Sequence, residues 1–396
     1  MTRKHALVTS LGLVAFAVAC TANQSSPEGM GSSPVDSEAR GLQAPMFEVD
    51  PFWPKPLPNH WLLGSTVGVA VDSRDHVLII HRGNLVPNET PAALDPPRAE
   101  ECCFAAPPIL EFDPEGNLVS SWGGPGEGYT WPNSNHGIIV DHMDNIWIGG
   151  NGQGDSHVLK FTRSGEFLLQ VGVPGRTANS NSQDSFGRVA KVTFDAEFNE
   201  MYLADGYGNK RVAVIDANTG ELKRYWGAYG NEPSDEELPP YDPEAPPAQQ
   251  FGNPVHCADP TEDGLVYVCD RPGNRIQVFQ KDGAFVDEIV VAKNTLGSGS
   301  AWDLAFSSDP DQSFIYLTDG MNQKVHIIKR EGLVYLYSFG DGGRYPGQFF
   351  GAHSIATDSK GNIYTTETYE GKRLQKFVYQ GMGPVTSTEM GVLWPQ

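Results

Sequence analysis

Short apolar runs recur along the chain, each closed by an acidic or glycine-bearing turn and answered by a second β-rich run, a polar turn and a third run. The clearest copies are GIIVDHMDNIWIGG (137–150), KVTFDAEFNEMYLADGYGNKRVAVID (191–216) and ADPTEDGLVYVCDRPGNRIQVFQKDGAF (258–285). DLAFSSDPDQSFIYLTDGMNQKVHIIKREG (303–332) and SIATDSKGNIYTTETYEGKRLQKF (354–377) continue the series. GVAVDSRDHVLIIHRGN (68–84) begins it, and an insertion separates it from its third run, ILEFDPEGNLVSSWG (109–123). β-Branched and aromatic runs bounded by turn residues predict strands, and no helical period is sustained. A four-stranded unit repeated in this way is a propeller blade, with an open solenoid as the alternative. FEVD at 47–50 can supply the missing outer strand of the last unit and close a ring. The expected fold is all-β: a six-bladed β-propeller.

Composition then fits this architecture. The 44 Gly and 30 Pro residues belong to turns between strands, and 39% hydrophobic residues can fill a large core. The formal charge of −21 argues against a nucleic-acid partner and against attraction to anionic lipid. At the N-terminus, Arg3, Lys4 and His5 precede an apolar run from Ala6 to Ala19, the pattern of a secretory signal. The small residues before Cys20 resemble a bacterial lipoprotein box, with Ala17 in place of the usual Leu. The expected organisation is a signal peptide at 1–19, a flexible Ser/Gly/Pro-rich tether at 20–44 lipidated at Cys20, a propeller at 45–385 and a tail at 386–396. An exported, monomeric lipoprotein of the bacterial cell envelope is expected, touching the membrane only through that anchor.

Aligning the repeats exposes candidate chemistry. His136, His256 and His353 each stand eleven positions before an aromatic residue: Trp147, Tyr267 and Tyr364. They fall in blades 2, 4 and 6, while the intervening blades carry apolar residues near that register, around Val67, Ala190 and Trp302. The innermost strand of each blade lines the channel, so every second blade sends a histidine inward, about 120° apart. Three converging imidazoles with open positions suit a catalytic metal. Zn²⁺ is favoured, with Fe²⁺, Co²⁺ and Mn²⁺ as ions that imidazole alone does not reject. Arg82, Tyr207 and Arg271 follow the second strands of their blades and therefore open onto the same face. Arginine can hold a carboxylate bidentately, and a phenol near cationic charge can act as a base.

These residues resemble the peptidyl-α-hydroxyglycine α-amidating lyase family across about residues 60–380. HRG (81–83), NHG (135–137), DGYGNKR (205–211), VH (255–256), DRPGNRIQ (270–277) and AHS (352–354) carry the likeness. The resemblance implies a six-bladed propeller with Zn²⁺ held by His136, His256 and His353. It also implies catalysis by Tyr207, with Arg82 and Arg271 at the active site. The implied reaction is cleavage of a carbinolamide, a peptide or small molecule ending in a C-terminal carboxylate, to an amide and glyoxylate. The family's Asp after the third histidine, a ligand of structural Ca²⁺, is replaced by Ser354, which argues against Ca²⁺ here. The family's two disulfides are also absent: Gly187 and Gly208 fill one pair of positions, and Tyr267 and Val278 approximately the other.

Cys257 and Cys269 flank one hairpin symmetrically about Asp263 and are expected to pair. Cys102 and Cys103, in the Pro-rich insertion, could form a vicinal disulfide, pair elsewhere or remain thiols. The loop at 231–250 holds six acids and no base, and is either a substrate-selecting rim or a solvated connection. Two other readings stand beside the lyase. One is a non-catalytic NHL-repeat propeller that binds a protein or glycan; the other is a metal-dependent hydrolase or lactonase.

Overall fold

A computed structural model describes residues 39–83, 101–176 and 178–395. The expected signal peptide, Cys20 and most of the expected tether lie outside the described residues. Six four-stranded antiparallel sheets stand around one channel. Blade 1 comprises Thr66–Val71, Val77–His81, Ile109–Phe112 and Leu118–Trp122, from inside outward. Blade 2 comprises Asn135–Val140, Ile146–Gly150, His157–Phe161 and Phe167–Gly172. Blade 3 follows with Lys191–Asp195, Glu200–Asp205, Arg211–Asp216 and Leu222–Trp226, and blade 4 with Val255–Pro260, Leu265–Asp270, Arg275–Gln280 and Phe285–Val290. Blade 5 takes Asp303–Phe306, Phe314–Asp319, Lys324–Lys329 and Val334–Phe339. Blade 6 is Ala352–Thr357, Ile363–Glu367 and Leu374–Pro384, completed on its outside by Gln43–Asp50. That last pairing is antiparallel and joins the two ends of the chain, as the FEVD segment predicts. Residues of the C-terminal tail pair with the outer strands of two blades, Leu393 beside Glu48 in blade 6 and Glu389 beside Ser338 in blade 5.

The apolar runs are continuous because the inner strands are covered on both faces. In Val77–His81, Leu78 and Ile80 face blade 2 while Val77 and Ile79 face blade 6, so the two-residue period fills two cores at once. One hydrophobic cluster fills each of the six gaps between adjacent blades among the described residues. The outer strands lose this requirement, and Phe285–Val290 is largely exposed. No helix among the described residues is long and apolar enough to cross a membrane.

An acid at the end of the second strand locks several blades. Asp205 accepts from Gly187 N at 2.6 Å, Asn209 Nδ2 at 2.7 Å and Arg211 Nε at 2.8 Å, with both partners of the Asp205–Arg211 pair fully buried. Asp270 repeats the device with Gly252 N at 3.0 Å and Arg275 Nε at 2.8 Å. Each pins the loop that enters the first strand to the end of the second. The DGYGNKR and DRPGNRIQ motifs therefore serve as local wiring, whatever resemblance they also carry.

Candidate metal centre

The first strands are not regular where the histidines stand. Pairing slips between His136 and Ile138, between Val255 and Cys257, and between Ala352 and Ile355. Such bulges turn a side chain out of the sheet alternation, and here they coincide with the side chains that face the channel. Gly137 supplies one of them at φ 69°, where an added Cβ would come within 2.8 Å of the Ala190 carbonyl oxygen. The three imidazoles converge with ring centroids 5.2, 4.8 and 4.9 Å apart and are almost wholly buried. One ligand atom from each lies within 4.8 Å of the others.

The intervening blades orient these rings through their backbone. His136 Nδ1 donates to Ala190 O at 2.5 Å, and His256 Nδ1 donates to Trp302 O. His353 Nδ1 lies 3.2 Å from Ser354 Oγ, which itself donates to Val67 O at 3.1 Å. Each histidine is thus held by the blade that follows it, at the positions read from the sequence only as apolar. With the proton on Nδ1, the Nε2 lone pair is left for the channel. Burial first, and with it the Arg271 guanidinium, hold all three histidines well below their ordinary 6.5, with Arg82 adding to this at His136 and His353 and neighbouring imidazoles at His256 and His353. Neutral rings with free Nε2 atoms fit a nitrogen-bound metal ion.

The depressed values give a signed prediction for metal-free protein. The unfolded histidines take up protons below about 6.5 while the folded ones do not, so their contribution is present above 6.5 and lost as pH falls. Each can cost up to about 1.4 kcal/mol per pH unit in that window. Urea denaturation of metal-free protein at pH 7.5 and 5.5 should show this fall, and His256→Gln should flatten it. Equal pH slopes in the two proteins would contradict the assignment.

The structure brings the other three predicted residues over this ring. Tyr207 Oη lies 3.1 Å from Nε2 of both His136 and His256 and accepts from Arg271 Nη1 at 3.3 Å. Arg271 also lies over the Trp302 ring at 4.5 Å, and its buried Nε has no hydrogen-bond partner. Arg82 donates to Asn135 O at 3.3 Å and Asn151 Oδ1 at 2.9 Å. The hydrogen-bond partners of both guanidiniums are neutral, so neither is tied to a carboxylate by a direct bond. Arg188, which donates to the Tyr207 carbonyl, was not legible in the sequence. Tyr369 was legible and missed: it stands two residues past Glu367, as Tyr207 stands two past Asp205. Its ring meets Trp302 at 6.4 Å, and 53% of it is exposed at the rim.

Cys257 and Cys269 are bonded, with a Cα–Cα distance of 4.8 Å, tying the strand of His256 to the strand that precedes Arg271. Cys102 and Cys103 are paired with each other. The two positions where disulfides are absent do lie side by side: Gly208 N donates to Gly187 O at 2.5 Å, and Tyr267 faces Val278 across two strands. The acidic loop packs beside blades 3 and 4, where Ser180 donates to Asp235 and Lys293 pairs with Glu244 at 3.3 Å.

No family model matches the chain. NHL repeat-containing protein 3 of Mus musculus is 25% identical over 289 residues, covering 70% of this chain and 66% of that protein. This chain is similar to NHL-repeat proteins. Peptidyl-glycine alpha-amidating monooxygenase B of Xenopus laevis is 27% identical over 249 residues, which are 61% of this chain and 26% of that protein. A solved structure of a Bacteroides thetaiotaomicron protein of unknown function matches with a TM-score of 0.52 at 14% identity. It covers 86% of this chain and 77% of that one, and supports the propeller fold alone. The chain thus spans slightly under two thirds of its NHL relative and about a quarter of the amidating monooxygenase.

Proposed function

We propose that the protein is a metal-dependent carbon–nitrogen lyase that cleaves a carbinolamide bearing a carboxylate, an α-hydroxyglycine unit, to an amide and glyoxylate. The observation that carries this reading is the position of Tyr207 Oη, between two histidine Nε2 atoms and beside the Arg271 guanidinium. A binding scaffold has no need for that convergence, and the amidating relatives support it at low identity.

His136, His256 and His353 would hold the ion, Zn²⁺ before Fe²⁺, Co²⁺ or Mn²⁺. When bound, it supplies a Lewis acid that polarises a substrate oxygen. The chain's own groups do the rest. Arg271, with its unpartnered Nε, and Arg82 receive the substrate carboxylate. Tyr207 Oη takes the proton of the substrate hydroxyl. The O–H electron pair becomes the C=O bond of glyoxylate, the C–N bond breaks, and the proton taken by Tyr207 Oη is returned to the departing amide nitrogen. Arg188 holds the Tyr207 backbone, fixing where that oxygen stands.

The test is glyoxylate release from α-hydroxyhippurate by purified protein before and after chelation, and after Zn²⁺ is restored. Activity that is lost and recovered supports the proposal; Zn²⁺-loaded protein releasing no glyoxylate removes the substrate assignment. Export with a lipid anchor at Cys20 belongs to the same proposal, and the Cys257–Cys269 bond is compatible with an oxidising compartment. Cys20→Ala should release the protein from the membrane fraction.

A further inference from the structure

A second constellation lies in the channel beside the histidine ring, and the lyase reading leaves it unused. Lys191 directly follows Ala190, whose carbonyl holds His136. Its Nζ donates to Asp259 Oδ1 at 2.7 Å, Asp303 Oδ1 at 2.6 Å and Leu304 O at 3.1 Å. Asp303 in turn directly follows Trp302, whose carbonyl holds His256. Its other oxygen accepts from the backbone of Ile355 at 3.2 Å, two residues past His353. One ammonium therefore ties blades 3, 4 and 5 together and reaches blade 6 through Asp303. Between it and the ring is a cavity of about 10 Å³, lined among others by His136, His256, Lys191, Asp303 and Ser354.

This arrangement does not fit a hard, oxygen-seeking cation such as Ca²⁺ beside the ring. Ser354, standing where the resembling family has a carboxylate, spends its hydroxyl on His353 and Val67 O. One oxygen each from Asp259, Asp303 and Leu304, which a hard cation would seek, already surrounds an ammonium, and the second Asp303 oxygen is taken by Ile355 N, which leaves only the buried Asp259 Oδ2 unpartnered. We infer that Lys191 is the channel's built-in cation, a positioning residue that bridges Asp259 and Asp303 and fixes the strands that orient the histidine ring. Burial by itself would lower the lysine, but the two carboxylates reverse this and hold it above its ordinary 10.5. The side chains of Lys191 and Asp259 remain 13% exposed and that of Asp303 3% exposed, so the cluster is close-packed while still reached by solvent from the channel.

The inference is independent of the substrate and separates from the lyase reading on test. Metal-free wild-type protein is melted with and without 1 mM Ca²⁺ (an amount of about that order saturates weak oxygen sites), alongside Lys191→Ala and Lys191→Met. Wild type should be insensitive to Ca²⁺. Both variants should melt lower, because two buried carboxylates then face each other without the ammonium that bridges them. Ca²⁺ should restore Lys191→Ala, which opens space among the oxygens, and not Lys191→Met, whose side chain fills it. Chelator competition should show zinc affinity at the ring about 10-fold weaker or more in both variants, and Ca²⁺ should recover it in Lys191→Ala. Stabilisation of wild type by Ca²⁺ overturns the inference, whether or not either variant folds. So does a Lys191→Met protein equal to wild type in melting and zinc affinity. Failure of wild type to bind zinc at all would strike the lyase reading and leave the Ca²⁺ comparison to decide this one.

Discussion

Tyr207→Phe should lower kcat for glyoxylate release by about 10²–10⁴-fold, the range typical of a lost general base, with KM and metal content nearly unchanged. The substitution removes only Oη, the atom that lies 3.1 Å from both histidine nitrogens and receives the Arg271 bond. The ring remains held by the Ala190, Trp302 and Val67 carbonyls, none of which involves the phenol. Substrate binding should survive because the carboxylate is assigned to the guanidiniums. Arg271→Ala should show the complementary split, with KM raised strongly. Steady-state kinetics on metal-loaded proteins of equal zinc content measure both. A Tyr207→Phe enzyme with kcat within a few-fold of wild type would remove the phenol from the mechanism.

The second large effect concerns the fold. Asp205→Ala should cost about 3–5 kcal/mol, because it leaves the fully buried Arg211 guanidinium without its counter-charge. The same carboxylate holds Gly187 N and Asn209 Nδ2, so the loop into blade 3 loses its anchor as well. Asp205→Asn keeps the shape and some of these bonds and should cost less. Urea denaturation of both variants against wild type reads the difference. A midpoint for Asp205→Ala close to that of wild type would show that the carbonyls of Ser180, Ser182 and Ser185, which also accept from Arg211, suffice alone.

The blades were legible because a propeller repeats one burial problem six times. Inner strands such as Val77–His81 must be apolar on both faces, and outer strands need not be. Ring closure was legible for a related reason: Phe47 and Val49 alternate with acids in a segment that had no other strand to pair with. The histidine register survived alignment since all three residues occupy the same position on their strands. What holds them did not survive it. Val67, Ala190 and Trp302 act through carbonyl oxygens, which every residue carries, so their identities could signal only an apolar filler. Nor was the shift in strand register at His136, His256 and His353 read from the repeats. Lys191, Asp259 and Asp303 are 68 and 112 residues apart and meet only when the ring has closed. Tyr369 is a different case, since its offset from the second strand matches that of Tyr207, and a comparison of all six strand ends would have found it.

The central claim is that the three histidines form one metal centre. Metal-free protein should be reconstituted with excess Zn²⁺, freed of unbound ion, and analysed for metal per chain alongside His136→Ala, His256→Ala and His353→Ala. The account predicts one zinc per wild-type chain and a large loss in every variant, with each variant still folded by circular dichroism. Wild-type protein that remains metal-free, or single variants that retain a full equivalent of zinc, would contradict it.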